Sequence, residues 1–190
     1  GRPVNVKMFT GTPASNVAAA DIGKLLGADG FIYANATDAA ATGTTAVAMI
    51  AYLGNESDCT NGLATELSSS LESKKWVDNE AKNYAESLTA VPGGTWRLPS
   101  KADWQNMFLA CRKDGDASSA TDDMNPIAGF KEKIAATGIS WISGLYWTSS
   151  ASGSNAWYLS VDLRDGVPPH AGFRESNTSG SLLVRGCLAF

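Results

Sequence analysis

The chain has 190 residues, of which 44% are hydrophobic and 18% are charged, and its formal net charge is −4. This length suits one domain with a substantial hydrophobic core. A mildly acidic chain without a cluster of lysines and arginines has no electrostatic reason to bind nucleic acid or an anionic membrane. No segment approaches the ~20 apolar residues of a transmembrane helix. We therefore expect neither nucleic-acid binding nor membrane insertion of this segment.

The first twenty residues predict an extended lead-in, because they are rich in Gly, Thr, Ala and Asn. We expect the folded domain to occupy residues 21–190. The chain begins abruptly at Gly1 without a recognisable signal sequence, and a leading glycine can be left by cleavage. The abundance of Ser, Thr, Gly and Ala, with few Lys or Glu, favours an extracellular or cell-surface protein over a cytosolic enzyme.

Three cysteines, Cys59, Cys111 and Cys187, lie far apart in the sequence. Their spacing excludes a zinc site of the Cys-x-x-Cys kind. Their odd number leaves at least one free thiol in a monomer. A bridge between Cys111 and Cys187 and a set of three small buried hydrophobic side chains both fit this spacing.

The first half of the chain predicts short strands. Residues 23–27 and 30–33 flank a turn that closes with Gly30, which is typical of a hairpin. The other elements predicted before residue 70 are a loop at 34–45, a buried strand at 46–53 and a short strand at 62–67.

Three helices are predicted in the middle of the chain. Residues 76–88 carry apolar side chains on one face and charged side chains on the other. Ser100 is a good N-cap for a second helix, and Asp103 completes a shortened capping box. Asn125 and the proline that follows it predict the start of a third helix, which ends near Gly138.

From residue 139 onward the pattern changes to strands. Residues 156–163 alternate, with Trp157, Leu159 and Val161 on one side and polar residues on the other. The remaining predicted elements are a strand at 146–150, a hairpin turn at 164–166, a returning strand at 167–174, a loop at 176–181 and a closing strand at 182–190. Helices followed by an antiparallel run predict an α+β domain.

Three phrases in the second half of the chain carry a family resemblance. They are GTWRLPS at 94–100, LYWTSS at 145–150 and VRGCLAF at 184–190. Over roughly residues 21–190 the chain resembles the bacterial C-type-lectin-fold family called the major paralogous domain. The terminal phrase is similar to that of the variable proteins of diversity-generating retroelements. The resemblance implies a C-type-lectin-like fold, with two to three helices and a mixed, mainly antiparallel sheet.

The resemblance also implies a ligand-binding display domain of the adhesin or receptor-binding type. In such relatives, variation written at Asn codons cannot produce Lys, Gln, Met, Glu or Trp. Residues 151–183 contain no Lys, Gln or Met, one Glu and one Trp. An ordinary strand-and-loop surface rich in Ser and Gly gives the same composition, so both interpretations remain open. The expected ligand is a protein or glycan on a cell or phage surface.

We predict a variable, ligand-binding surface within residues 152–181. Its side chains are Tyr158, Ser160, Asp162, Arg164, Asp165, His170, Phe173, Arg174, Ser176, Asn177 and Ser179. Tyr158, Phe173 and Arg174 are the first hot-spot candidates, because large aromatic and guanidinium groups dominate binding energetics.

A second set of residues is expected to form the fixed scaffold. It comprises Trp96, Arg97, Trp104, Tyr146, Trp147, Trp157 and Arg185. The aromatic members supply apolar area for the core. A buried arginine needs carboxylate or carbonyl partners, so Arg97 and Arg185 are expected to make structural hydrogen bonds, with recognition of an acidic ligand as the alternative.

No arrangement of residues predicts catalysis, and we expect neither an enzyme nor a cofactor. The sole histidine, His170, has no evident partner for a catalytic dyad. The acidic loop with Asp114, Asp116, Asp122 and Asp123 lacks the EF-hand spacing, which favours a solvated loop over a calcium site. The alternative function is a structural module of a fimbrial or cell-envelope assembly, with residues 1–60 as its docking element.

Overall fold

The fold was described from a computed structural model, which describes residue 1, residues 11–56 and residues 58–190. Within these ranges the chain is an α+β domain, as expected, but it has four α-helices and two sheets instead of the expected two to three helices and one sheet. The helices are α1 (Ala36–Ala41), α2 (Glu80–Glu86), α3 (Lys101–Ala110) and α4 (Ala128–Ala136). None of the helices in the described ranges is long and apolar enough to cross a membrane.

Thirteen strands occur in the described part of the chain. They are β1 (Thr12–Pro13), β2 (Leu25–Gly27), β3 (Phe31–Tyr33), β4 (Ala46–Leu53), β5 (Gly62–Glu66), β6 (Ser73–Lys75), β7 (Thr95–Arg97), β8 (Asp123–Met124), β9 (Gly144–Ser152), β10 (Asn155–Asp162), β11 (His170–Asn177), β12 (Ser181–Leu183) and β13 (Cys187–Ala189). The first sheet has the order β1-β3-β2-β4-β5-β13-β7, and the second has the order β6-β12-β9-β10-β11-β8. All pairings are antiparallel except that of β12 with β9.

The first sheet confirms the predicted hairpin and both predicted strands before residue 70. The turn between β2 and β3 closes at Gly30, whose φ of +81° explains the glycine there. The end of the predicted lead-in also contributes, since β1 pairs with β3 at the sheet edge and Val17 packs against the core beneath.

The predicted loop at 34–45 is wrong in its middle, where α1 forms. Asn35 is the N-cap of α1, and its side-chain oxygen accepts a hydrogen bond from the Asp38 amide at 2.8 Å. The helix has the sequence ATDAAA, so most of its residues are the best helix former. Small residues that resemble a loop in composition therefore form a capped helix.

The first predicted helix is shorter than expected, because α2 covers only residues 80–86 of the predicted range 76–88. Asp78 and Asn79 both have φ of +59°, a left-handed conformation that an α-helix does not contain. Trp76 lies before this break, and its indole donates a hydrogen bond to the Thr148 carbonyl at 2.8 Å.

The second and third helices differ in how well their starts were predicted. Ser100 caps α3, and its hydroxyl accepts the Asp103 amide at 2.9 Å while the Asp103 carboxylate accepts the Ser100 amide. The predicted cap at Asn125 is wrong, since α4 begins at Ala128. The first amides of α4 donate instead to the carboxylate of Asp116, at 2.8 and 2.9 Å.

The last third of the chain forms most of the second sheet. The returning strand starts after the two prolines, at His170, and it continues to Asn177 into the predicted loop. The predicted closing strand at 182–190 is two strands, since β12 lies in the second sheet and β13 lies between β5 and β7 in the first. Residues 184–186 carry the chain from one sheet to the other.

The main core lies where the two sheets and helices α3 and α4 meet. Its buried members include Met49 and Leu63 from the first sheet and Leu159 from the second. Trp104 of α3 and Phe130 of α4 complete it with aromatic contacts that also involve neighbouring rings. A framework of this kind fixes the backbone of the central strands of the second sheet.

Candidate functional site

Strands β9, β10 and β11 form the centre of the second sheet and contain most of the predicted ligand-binding residues. Leu159 is opposite Tyr146 on one side and Phe173 on the other, and all three are buried in the main core. Ser160, the next residue, is opposite Leu145 and Gly172 on the other surface of the sheet. The alternation predicted for β10 is therefore confirmed, with apolar residues facing inward.

The placement of Phe173 on the displayed surface is wrong. Its side chain is 1% exposed and belongs to the main core. Successive strand residues point to opposite surfaces, so Phe173 and Arg174 cannot share one. The pairing of Phe173 with Leu159 places it on the inner surface.

The outer surface of these strands is covered at one end and free at the other. At the covered end, Trp147 packs with Ala81 and Ala85 of α2, and Tyr158 contacts the same cluster. We use the term open face for the free part of the outer surface. It consists of Leu145, Tyr158, Ser160, Asp162, His170 and Arg174.

A shallow cavity of about 280 Å³ lies at the free end of the open face. Ser160, Asp162, Arg164 and His170 line it, so four of the predicted ligand-binding residues meet there. Its other lining residues are Ser143, Gly144, Leu145 and Val161. Leu145 is 42% exposed and supplies an apolar surface beside these polar groups. The cavity thus combines a hydroxyl, an imidazole, an ion pair and a hydrocarbon surface.

The ion pair in this cavity joins two predicted site residues. Asp162 accepts hydrogen bonds from the Arg164 guanidinium at 2.7 and 2.9 Å and from the Arg164 amide at 3.0 Å. These hydrogen bonds lower the pKa of Asp162 to about 2. The neighbouring Asp165 is fully exposed and pairs with Lys131 at 3.0 Å. Ion pairs this exposed contribute little to stability, so a ligand can replace one at small cost.

Arg174 lies at the other edge of the open face. Its guanidinium donates to the Asp123 carboxylate at 2.7 Å and to the Phe173 carbonyl at 2.8 Å. It also lies close to Gly172, where a Cβ atom would come within 3.5 Å of it. The arginine side chain therefore lies across the sheet at the margin of the open face and is held there by an exposed acid.

The remaining predicted site residues lie away from the cavity. Ser176 and Asn177 end β11, and Ser179 follows in the turn. The Asn177 side chain accepts hydrogen bonds from the amide and hydroxyl of Ser179, at 2.8 and 2.6 Å. These three residues are separated from the cavity by the length of β11.

Arg185, expected to be a scaffold residue, is 0% exposed at the crossing between the sheets. Its guanidinium donates to the carbonyl oxygens of Glu66 at 2.6 Å and Ser68 at 3.1 Å, which are the carbonyl partners expected for a buried arginine. Its guanidinium carbon lies 4.2 Å from the centre of the Trp141 ring. Arg185 thus ties β13 to β5 through the main chain.

The other scaffold residues also lie in or beside the core. Trp96, Trp104, Tyr146 and Trp147 are buried, whereas Arg97 and Trp157 are half-buried. Arg97 pairs with the buried carboxylate of Asp103 at 3.1 Å. The Trp157 ring lies 3.5 Å from the Lys101 ammonium, a cation–π contact that fixes its outer edge.

The acidic loop between α3 and β8 uses its carboxylates in protein contacts. Asp116 caps α4, Asp122 pairs with Lys101 at 2.5 Å and Asp123 pairs with Arg174. Among the residues that the structure describes, no group of three or more His, Cys, Asp and Glu side chains has the arrangement of a metal site. The three cysteines are unpaired in the described ranges.

Sequence reasoning missed Leu145 and Asp123 as members of the site. Leu145 precedes the buried Tyr146 in a predicted strand, so strand alternation alone signals that it points outward. Asp123 has no comparable signal, because its contact with Arg174 spans 51 positions in the sequence.

Comparison with protein families, with curated proteins and with solved structures finds no match to this chain.

Proposed function

We propose that the chain is a ligand-binding display domain of the adhesin or receptor-binding type. It presents the open face on a C-type-lectin-type scaffold and binds a protein or glycan on a cell or phage surface. It acts by binding alone, without catalysis or a cofactor, outside the cell or at the cell surface.

One observation carries this proposal. Within β10 and β11, adjacent residues belong to two surfaces with opposite properties. The inward set is packed in the core, and the outward set exposes hydroxyl, carboxylate, imidazole and guanidinium groups around a cavity. Outward residues can therefore be exchanged without disturbing the core, which is what a variable binding surface requires.

The chemistry of the open face suits recognition of a mixed polar and apolar ligand. Leu145 offers hydrocarbon area, whereas Ser160 and His170 offer hydrogen-bonding groups. Tyr158 adds a partly buried ring with few rotatable bonds, an economical contact for a binding surface. The arginines are each paired with an acid, so the face has no strong charge of one sign.

The pattern of natural variation tests the proposal, because each strand contains its own control. Across related isolates, substitutions should concentrate at the outward positions Tyr158, Ser160, Asp162, His170 and Arg174. The inward positions of the same strands, such as Leu159 and Phe173, should remain unchanged. Variation spread evenly over the molecular surface contradicts display and favours the structural module.

A binding experiment tests the same face directly. The purified chain is applied to a glycan array and to intact bacterial cells, and retention is compared with that of the double variant Arg164→Ala, His170→Ala. Lys82→Ala on α2, an exposed substitution away from the face, is the matched control. We expect the double variant to lose retention and the control to keep it, and equal retention of both variants contradicts the assignment.

A further inference from the structure

A second cavity, of about 260 Å³, opens where β4 begins and β5 ends in the first sheet, and it shares no residue with the open face. Its walls are mostly hydrocarbon, from Val47, Leu67, Leu88, Trp96 and Ile139. About 150 Å³ is enough to hold benzene in an apolar cavity, so a ring with a short side chain fits this space. Nothing in the proposed display function uses it.

The carboxylate of Glu66 lies in this apolar cavity. Glu66 ends β5, and its side chain is 6% exposed. One carboxylate oxygen accepts a hydrogen bond from the Gly186 amide at 2.8 Å. Trp96 and Leu88 also lie close to Gly186, since a Cβ atom there would lie 3.1 and 2.7 Å from them. The backbone, the carboxylate and the two walls are therefore closely packed together.

Within the described residues, Glu66 has no ion-pair partner within 4 Å. The nearest candidate, Arg185, directs its hydrogen bonds to main-chain carbonyls and stacks on Trp141. Burial raises the pKa of the Glu66 carboxyl, and the Gly186 amide and the charge of Arg185 oppose that rise only in part. A buried carboxylate without a direct counter-ion is costly for a fold to keep.

We propose that this cavity binds a small organic ammonium ion, with Glu66 as its counter-ion and the apolar walls around its hydrocarbon part. The second carboxylate oxygen has no hydrogen bond from the described protein and is free to accept the ammonium N–H. The ring of Trp96 is fixed by a hydrogen bond from its indole to the Thr89 carbonyl at 2.8 Å. That ring adds an aromatic surface of the kind that attracts cations.

Other ligand classes fit the cavity less well. A carboxylate or phosphate ligand would bring a second negative charge next to Glu66 in a poorly hydrated site. A neutral hydrocarbon would cover Glu66 and leave one of its oxygens without a partner. A neutral alcohol could donate one hydrogen bond but would lack the charge that makes such bonds strong.

Binding of 2-phenylethylammonium, followed by titration calorimetry and by amide chemical shifts, tests the proposal. The matched probes are 2-phenylethanol, which lacks the charge, and 3-phenylpropionate, which reverses it. We expect the ammonium ion to bind with shifts at Gly186 and Trp96. The alcohol should bind about tenfold more weakly, and the acid should not bind. The affinity should fall on acidification, as Glu66 takes up a proton.

Two variants separate charge from shape. Glu66→Gln can still accept the Gly186 amide, and it should weaken ammonium binding by about tenfold or more while leaving the alcohol unaffected. Val47→Phe keeps the charge of Glu66 and fills the cavity, so it should weaken the binding of the ammonium ion and of the alcohol alike. Both variants are first checked for a folded amide spectrum.

Three results overturn the proposal: no binding of the ammonium ion at millimolar concentration, equal affinity for the ammonium ion and the alcohol, or unchanged binding to Glu66→Gln. Shifts at the open face instead of this cavity also overturn it. None of these results bears on display by β10 and β11, since the two sites share no residue.

Discussion

Two ionisable residues beside the crossing between the sheets show how far a buried charge can be accommodated by the main chain. Arg185 has two carbonyl acceptors and an aromatic neighbour, and Glu66 has one amide donor. The two side chains are neighbours in the fold, yet neither binds the other directly. We therefore expect Arg185 to stabilise the folded state and the charged form of Glu66 to destabilise it.

Arg185→Lys should destabilise the domain by about 2–3 kcal/mol, because a lysine has a shorter side chain than the arginine whose Nη1 donates to both carbonyls, and it cannot stack on Trp141 with a planar group. Urea unfolding of the purified variant measures the change. Arg112→Lys is the control, since Arg112 is exposed and bonds to the carbonyl of Ser118 in a surface loop. If Arg185→Lys lowers the free energy of unfolding no more than Arg112→Lys does, the buried contacts of Arg185 contribute little to stability.

Glu66→Gln should stabilise the domain at neutral pH, because it removes a buried carboxylate that has no direct counter-ion. Burial raises the pKa of Glu66 in the folded state above the ordinary value of 4.5, so the folded protein holds this proton more tightly than the unfolded chain. The free energy of unfolding contributed by Glu66 thus falls as the pH rises from about 4.5 through the folded pKa. A difference of one unit between the folded and unfolded pKa values corresponds to about 1.4 kcal/mol of stability.

The measurement is the free energy of unfolding of the wild type and the variant between pH 4 and pH 8. The advantage of Glu66→Gln should be complete at the upper end and disappear below about pH 4.5, where both states of the wild type are protonated. Glu86→Gln on the exposed side of α2 is the control, since it makes the same substitution outside the buried site. A variant less stable than the wild type at pH 8 would show that the charge is favourable.

At the scale of single elements, successive side chains of a strand point to opposite surfaces, even in a segment whose composition suggests that all of them are displayed. Phe173→Ala should cost about 3–5 kcal/mol of stability, because it leaves a cavity in the main core. Arg174→Ala, its neighbour, should cost less than about 1 kcal/mol, because its ion pair is exposed. Thermal unfolding compares the two, and similar losses would contradict the assignment of Phe173 to the inner surface.

The elements also show what a sequence reveals about its own structure. The alternation in β10 and the capping box at Ser100 depend on neighbours in sequence, and both were predicted. The start of α4 depends on Asp116, which lies 12 residues before its first bonded amide. The break before α2 depends on two left-handed residues, Asp78 and Asn79, that no local pattern marks. Of the mispredicted helix bounds, only the start of α4 is set by a distant partner, since α1 is capped by Asn35 directly before it and the break before α2 lies at Asp78 and Asn79 themselves.

For the candidate site too, features that depend on neighbours in sequence could be predicted, and features that depend on distant contacts could not. Ser160, Asp162 and His170 follow from their position in strands, and the structure brings them together at one cavity. The second cavity could not be predicted, since Glu66 and Trp96 come from separate strands and meet only through β13.

At the scale of the whole molecule, the two sheets are joined by the segment that leaves β12 and enters β13. Cys187 on β13 lies beside this junction, whereas Cys111, which follows α3, lies in the main core. Both are fully buried, and burial raises the pKa of each thiol to about 12. Cys59 is only partly buried. Reactivity of the three thiols therefore measures the opening of the domain at separate places.

With a thiol reagent at pH 8, we expect Cys59 to be labelled first, and Cys111 and Cys187 to follow together at the slow rate of global unfolding. Mass spectrometry of peptides after timed labelling measures each rate. Single Cys→Ser variants assign the signals, and labelling in guanidinium gives the unprotected rates. Labelling of Cys187 well before Cys111 would show that β13 opens independently of the remaining core.

The position of β13 also sets an order of events during synthesis. Its three residues follow β5 and β7 in the sequence by about ninety residues or more, yet they lie between these two strands in the first sheet. While the ribosome is still translating, β5 and β7 each present an unpaired edge of the kind that attracts other chains. These two edges therefore stay without their partner strand until β13 has been made.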